Sequence, residues 1–221
     1  MTKAELRKLY LEKRSTFPAA DVIAVSGRIA DRFFESVDLS TVRTLHCFIS
    51  IPKFNEVDTS AIYNRVWRDF PDIVTVAPQT DLTTGAIESI IFNSDTEWNE
   101  NSWGIREPAG GDIVEPAAID LVVVPLLCFD WRLHRVGYGK GMYDKFLARC
   151  RKDCVKVGVS LFPPVDTIAE TSESDVALDL VITSEAAFNT QAETRESRGG
   201  GHNSRVLKVK KTRVIWPSTG P

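Results

Sequence analysis

The chain has 221 residues, a length that suits one domain able to bury on the order of 70% of its unfolded surface. A formal charge of −3, with 26% charged and 43% hydrophobic residues, makes no global case for nucleic-acid or membrane binding. No apolar run approaches the ~20 residues of a membrane helix, and the start MTKAELRK lacks the apolar stretch of a secretory signal. Cys47, Cys128, Cys150 and Cys154 show no paired CxxC spacing, so free thiols in a reducing cytoplasm are expected, without a zinc site or a disulfide framework.

Thr2 with Glu5 forms a capping box and predicts a helix over 2–16, ahead of Pro18. At 100° per residue, Lys3, Arg7 and Arg14 fall within about 40° of one another on its circumference. The result is a cationic stripe, either a solvated basic face or one wall of an anion site. A second amphipathic helix is predicted over 19–36, with Val22, Val25, Ile29 and Phe33 as core contacts. Residues 44–51 read as a buried strand. His46 within it is taken as a hydrogen-bonded structural residue and receives no role.

The loop PKFNEVDTS leads to a helix with Ile62, Val66 and Trp67 facing inward, Asp58 and Thr59 serving as its N-cap and first turn. Strands follow over 72–78 and 87–92, then a weakly patterned connection over 93–118 that holds Trp98 and Trp103. Loops of that length in a compact domain tend to be functional.

Residues 121–124 are apolar and β-branched, a buried strand ended by Pro125. Beyond it come Asp130, Arg135, the alternating glycines of GYGKG (Gly137, Gly139, Gly141) and a helix over 142–151. Strand, glycine loop and helix in that order let backbone N–H groups approach an anion while the helix points its positive end at it. Arg135 and Lys140 add charge. Asp144, one turn into the helix, is placed to hold a hard cation shared with phosphates. The stretch reads as a nucleotide-phosphate site with a magnesium carboxylate, the alternative being a glycine-rich turn with a surface Asp. It is neither a Walker A loop nor a dinucleotide fingerprint.

Strands are predicted over 155–161, broken by Pro163 and Pro164, and over 179–183, with Asp175 and Asp179 at the entrance of the second. Alternating strands and helices without an internal repeat predict an α/β domain over 1–190, a mainly parallel central sheet between helix layers. From Gln191 the composition changes. Seven Lys or Arg stand against two Glu, a charge of +5 that leaves −8 for residues 1–190, and with GGG at 199–201 the segment 191–221 is expected to be a disordered basic appendage.

Phe129, Asp130, Arg135, Gly137, Gly139, Gly141, Tyr143 and Asp144 resemble the F-D-x-x-G-x-R-L-G-x-G-x-G-Y-Y-D signature of the 5-formyltetrahydrofolate cyclo-ligases, also called methenyltetrahydrofolate synthetases. Leu133 stands where a glycine is usual, Val136 where a leucine is, and Met142 where the first tyrosine is. The resemblance spans roughly residues 3–187. It implies a three-layer α/β/α fold and ATP-dependent cyclisation of 5-formyltetrahydrofolate to 5,10-methenyltetrahydrofolate, through a phosphorylated formyl oxygen.

In residue terms the resemblance implies that ATP is held by Lys3, Arg7, Arg135, Gly137, Tyr138, Gly139, Lys140, Gly141 and Tyr143. It implies likewise that folate is held by Glu56, Trp103 and Tyr143, with Trp98 equally placed to be the stacking residue. Magnesium sits on Asp144 with Asp179, and Arg135, Lys140 and Asp144 carry the catalysis. The expected partners are 5-formyltetrahydrofolate and ATP, with no nucleic acid, no membrane and a single copy of the chain. Two other classes stay open: a non-catalytic folate or polyanion binder, and a different α/β nucleotide or sugar-phosphate enzyme.

Overall fold

The computed structural model describes residues 1–102 and 104–189. Trp103 and the basic segment lie outside the described residues, and with them the folate contact and the appendage expected there. In chain order the elements are α1 (Lys3–Ser15), α2 (Ala19–Ser36), β1 (Thr44–Cys47), α3 (Ser60–Asp69), β2 (Val74–Thr80), β3 (Ile87–Ile91), β4 (Trp98–Glu100), β5 (Arg106–Pro108), β6 (Ile113–Val114), β7 (Leu121–Pro125), β8 (Cys128–Phe129), β9 (Arg135–Val136), α4 (Met142–Arg149), β10 (Val155–Val159), β11 (Leu180–Ile182) and β12 (Ala187–Asn189).

The predicted capping box closes in both directions. Glu5 N–H donates to Thr2 Oγ1 at 3.2 Å, and Thr2 N–H donates to the Glu5 carboxylate at 2.8 Å. Eight strands form one sheet in the order β12-β11-β10-β7-β1-β2-β3-β6. The run from β11 to β2 is parallel, and antiparallel β12, β3 and β6 finish the two edges. Period-two alternation splits the central strands between two cores. Leu45, Cys47, Leu121 and Val123 face α2 and α3, whose Ile29, Phe33, Ile62 and Val66 cover them. Val76, Val122 and Val124 face α4 through Phe146 and Leu147. The fold is therefore three-layer α/β/α with a mainly parallel sheet. Among the described residues no helix is long and apolar enough to cross a membrane.

Helix α1 stands outside these layers and seats Leu6 and Tyr10 on Leu127, Cys128 and Val136 of the small β8-β9 ribbon. Elsewhere the elements differ from the sequence expectation for identifiable reasons. Strand β1 ends at Cys47 rather than running to 51, because the next backbone groups are bonded by side chains: Thr59 Oγ1 donates to Phe48 O at 2.6 Å and Ile51 N–H to the Glu56 carboxylate at 2.8 Å. Asp58 caps α3 at Ser60 N–H, whereas Thr59, the residue at the helix boundary, spends its hydroxyl on Phe48. The connection over 93–118 holds the β4-β5 hairpin and edge strand β6, elements too short to leave a periodic signal.

Asp130 organises the turn between β8 and β9. Its buried carboxylate accepts N–H groups of Arg132 and His134, both at 3.0 Å, and of Ile168 at 3.2 Å. Leu133 lies inside this turn with φ 62°, the left-handed conformation that glycine adopts freely. The strain costs a bulky residue about 1–2 kcal/mol, and the side chain, 1% exposed, offsets it by burial. Leu133→Ala keeps the strain and loses the burial, so its unfolding free energy in urea should fall by about 2–4 kcal/mol. Leu133→Gly should lie roughly 1 kcal/mol closer to the parent because the strain goes too. Equal losses in the two variants would mean that the turn stores no strain.

Candidate active site

From β1 the chain passes through α3 to β2 on one side, and from β7 it passes through α4 to β10 on the other. Strands β1 and β7 are neighbours, so between their carboxyl ends the chain departs in opposite directions. Open α/β sheets bind ligands in that crevice. A cavity of about 710 Å³ occupies it. One end carries Lys3, Arg7, Arg135 and Lys140 around the glycine loop; the other is apolar, with Phe48, Ile49, Ile51, Phe54 and Ile105.

The glycine loop is held by α1. Arg7 Nε donates to Gly137 O at 3.0 Å, and a Cβ at Gly139, where φ is +93°, would stand 2.9 Å from Arg7 Cζ. Gly141 begins α4 at φ +64° without a side-chain cap, which leaves the first-turn amides facing the cavity end of the helix. The buried Arg135 guanidinium donates Nη1 to Val176 O and Nη2 to Asp144 Oδ1, the latter at 2.7 Å. Val176 N–H reaches the same Asp144 oxygen at 3.1 Å.

That contact brings residue 175 to the cavity and corrects one sequence expectation. Asp175 lines the cavity and pairs with Lys3. Burial opposes its ionisation, yet the Lys3 ammonium and the Ser172 N–H hold its carboxyl below the usual value. Asp179 does not join Asp144. It precedes β11, at the amino end of the parallel strands, where its half-exposed carboxylate accepts Lys156 N–H at 2.8 Å and Lys156 Nζ at 3.1 Å. Both aspartates stand before the same strand in sequence, and a few residues of extended chain carry one of them from the site to the opposite edge of the sheet. Among the described residues no group of three or more His, Cys, Asp or Glu gathers, so a cation here would rest on few protein oxygens.

The cationic stripe of α1 divides in the same way. Lys3 and Arg7 reach the cavity, whereas Arg14 is buried at 3% exposure, its Nη2 on Leu126 O at 2.6 Å and its Nη1 on Tyr138 Oη at 2.7 Å. Arg14 Nη1 also lies 3.9 Å from Glu56 Oε1. Tyr138 donates its hydroxyl to Glu56 Oε1, and its exposed ring stands 6.0 Å from Phe54 at the cavity mouth. Burial raises the Glu56 pKa, against the lowering effects of Tyr138, Arg14 and the Ile51 N–H. Tyr143 lines the cavity, with its hydroxyl 3.3 Å from His46 Nε2. Lys140 is exposed and forms no ion pair among the described residues.

The model of the 5-formyltetrahydrofolate cyclo-ligase family matches residues 1–162. The chain belongs to that family. A 5-formyltetrahydrofolate cyclo-ligase of Mus musculus is 30% identical over 103 residues, 43% of this chain and 50% of that one. One of Mycoplasma pneumoniae is 38% identical over 72 residues, 32% of this chain and 43% of that one. These matches span half or less of the relatives' own lengths. A probable 5-formyltetrahydrofolate cyclo-ligase of Caenorhabditis elegans is 23% identical over 192 residues, 81% and 91% of the two chains.

Among solved structures, a 5,10-methenyltetrahydrofolate synthetase of Aquifex aeolicus shares the fold at a TM-score of 0.69 and 23% identity, covering 93% of this chain and 99% of that one. A synthetase of Mycoplasma pneumoniae does so at 0.64 and 24%, covering 83% and 99%. The family match takes in Lys3, Arg7, Glu56 and the glycine loop, and stops before Asp175.

The packing of Arg7 on Gly139 makes that position sensitive to a single methyl group. Gly139→Ala should displace the guanidinium and weaken binding of a nucleoside triphosphate by about tenfold, with roughly 1 kcal/mol lost in stability from the positive φ. Gly137→Ala, with nothing within 4 Å of its Cβ, should bind nearly as the parent does. Isothermal titration with ATP compares them, and equal affinities would show that Arg7 does not depend on Gly139.

Proposed function

We propose that this chain catalyses ATP-dependent cyclisation of 5-formyltetrahydrofolate to 5,10-methenyltetrahydrofolate, with release of ADP and phosphate. Family membership supports this reading, and one observation carries it: a single cavity joins a cationic, glycine-lined end to an apolar end above a buried carboxylate. The cationic end suits phosphates and the apolar end suits a ring system whose N–H edge meets Glu56.

The chemical difficulty is that a formamide carbonyl is a poor electrophile and its oxygen a poor leaving group. Phosphorylation answers both. The formyl oxygen forms a bond to the γ-phosphorus as the bond to ADP breaks, then N10 attacks the formyl carbon, loses its proton, and the carbon–oxygen bond to phosphate breaks. Little covalent work falls to the protein, so positioning and charge compensation dominate. Lys3, Arg7, Arg135 and Lys140 offset phosphate charge, and the loop amides over 137–141 donate hydrogen bonds. Glu56 receives ring N–H donors; because Tyr138 now holds Oε1, ligand binding shares or displaces that hydroxyl.

The residues present fit magnesium. Asp144 has Oδ1 engaged and Asp175 has Oδ2 engaged, while Asp144 Oδ2 and Asp175 Oδ1 have no hydrogen-bond partner among the described residues. Magnesium takes one or two carboxylates and completes its shell with water and phosphate oxygens. When bound it would neutralise charge on the nucleotide. Four cations against these two carboxylates leave a surplus of two positive charges at this end, a match for the negative charge of a magnesium-bound triphosphate.

Near-ultraviolet absorbance of the protein with 5-formyltetrahydrofolate and magnesium, with and without ATP, tests the reaction, since the methenyl product has an extended conjugated amidinium. A rise that needs ATP establishes it. Folate binding without a rise would make the chain a non-catalytic binder, and no folate binding would move it to another α/β nucleotide enzyme. In the same assay Asp144→Asn and Asp175→Asn should lose on the order of 10²-fold in turnover with folate affinity retained. Asp179→Asn should stay within about twofold, and a loss as large as that of Asp175→Asn would restore Asp179 to the site.

Protonation removes acceptor capacity from Glu56, and its pKa is raised by burial. Folate affinity should therefore be full above the raised value and fall as pH drops through it, beginning above the ordinary carboxylate range. Glu56→Gln should bind more weakly and without that acid limb. Fluorescence-quench titrations across pH measure both, and an unchanged acid limb in the variant would remove Glu56 from folate binding.

A further inference from the structure

Directly beneath the cavity wall, three side chains from three separate elements form a buried hydrogen-bonded line. The alternation of β1 sends Leu45 and Cys47 to the α2-α3 face, and hence His46 to the α4 face. There it sits in register between Val76 and Val122, fully buried, with its ring 4.7 Å from that of Phe146 and 5.9 Å from that of Tyr143. His46 Nδ1 lies 3.0 Å from Ser89 Oγ on β3, and Nε2 lies 3.3 Å from Tyr143 Oη on α4. Ser89 is 1% exposed, and Tyr143 opens on the cavity.

Burial pushes the imidazole down to about 3, so the ring is neutral at physiological pH, with one nitrogen donating and the other accepting. Two arrangements satisfy the ring. With the proton on Nδ1, His46 donates to Ser89 and accepts the Tyr143 proton; the Ser89 proton then needs another acceptor, and among the described residues Ser89 Oγ has none. A buried donor left unmatched is expensive. With the proton on Nε2, Ser89 donates to Nδ1 and His46 donates to Tyr143 Oη, so the unmatched proton moves from Ser89, which is sealed in the core, to Tyr143, which lines the cavity. That proton must then point away from His46, which leaves it for an acceptor in the cavity that Tyr143 lines.

We infer that Ser89 and His46 are positioning residues that hold Tyr143 as a hydrogen-bond donor into the cavity, where an oxygen acceptor of the bound ligand receives it. The identity of that oxygen rests on the cyclo-ligase reading, in which formyl and phosphoryl oxygens are the candidates. The arrangement gives Glu56 and Tyr143 complementary parts: N–H donors of the ligand go to Glu56, and an acceptor goes to Tyr143.

The tautomer is measurable without folate or ATP. The chain has three histidines, His46, His134 and His202, so ring ¹⁵N spectra of histidine-labelled protein contain three sets of signals, and the set missing in His46→Gln belongs to His46. The expected result is a protonated Nε2 and an unprotonated Nδ1, unchanged on acidification from about pH 8 to about pH 5. A protonated Nδ1, or titration near the ordinary histidine value, overturns the inference.

Ligand binding supplies the second readout. Ser89→Ala should weaken folate binding by about tenfold in the parent and have no further effect in Tyr143→Phe, because the hydroxyl it orients is gone. Additive losses would make Ser89 a packing residue only and overturn its role. His46→Gln, whose amide can accept from Ser89 and donate to Tyr143, should retain most of the affinity that His46→Leu loses; equal losses count against the inference. If no folate binds, the cyclo-ligase reading fails while the spectra still decide the tautomer. The cycle of variants is then read with ATP, the remaining source of acceptor oxygens, and the same outcomes apply.

Discussion

The parallel pairing of β1 with β7 is the constraint from which the rest of the molecule follows. Leu45 aligns with Leu121, His46 with Val122 and Cys47 with Val123, and both strands are buried on both faces. A shift by one residue would turn His46 into the apolar layer under α2 and α3 and bring Leu45 and Cys47 out of it. The register therefore sets which side chains meet α4. It also brings together two loops distant in sequence, the one after β1 with Glu56 and the one after β7 with the glycines, and the cavity is the space between them.

Helix α1 makes that space into a site. It belongs to neither helix layer and rests on the β8-β9 ribbon, so its polar face is free to reach the loops. Arg7 holds Gly137 and Arg14 holds Tyr138, so the glycine loop is tied to α1 by two guanidinium groups. Asn55 closes the opposite side, with its amide on Arg14 O at 2.8 Å and Phe17 O at 2.9 Å. A buried arginine beside a buried glutamate is costly to separate, because either partner alone would be an uncompensated charge in a dry setting. This joins the apolar end of the cavity to its cationic end mechanically: the Tyr138 that bonds Glu56 stands between Gly137 and Gly139 of the glycine loop.

Ion pairs at the cationic end cross between elements in the same manner. Lys3 of α1 meets Asp175, and Arg135 of β9 meets Asp144 of α4, so the charges of the site also brace its walls. Each pair leaves one carboxylate oxygen without a hydrogen-bond partner among the described residues. Below them the Ser89–His46–Tyr143 line is neutral and inward, a polar thread through an apolar core in which both ring nitrogens of His46 have hydroxyl partners.

The capping box at Thr2 and Glu5, the apolar stripe of α2, the β-branched run of β7 and the spacing of the loop glycines are local features, and from them the helices, the buried strands and the glycine loop that opens α4 are legible. The polarity of the sheet is legible as well, since strands separated by helices must run parallel. Contacts across long separations are not. Which of Asp175 and Asp179 enters the site depends on which end of β11 lies at the crevice. Arg14 and Arg7 share a helix face and yet part company, because only Arg14 lies over the buried Glu56. Leu133 takes a glycine's conformation, and His46 acquires partners 43 and 97 residues away. Periodicity and capping register interactions within a few residues, whereas hydrogen-bond partners and burial of single polar side chains are set by elements that meet only when the chain has folded.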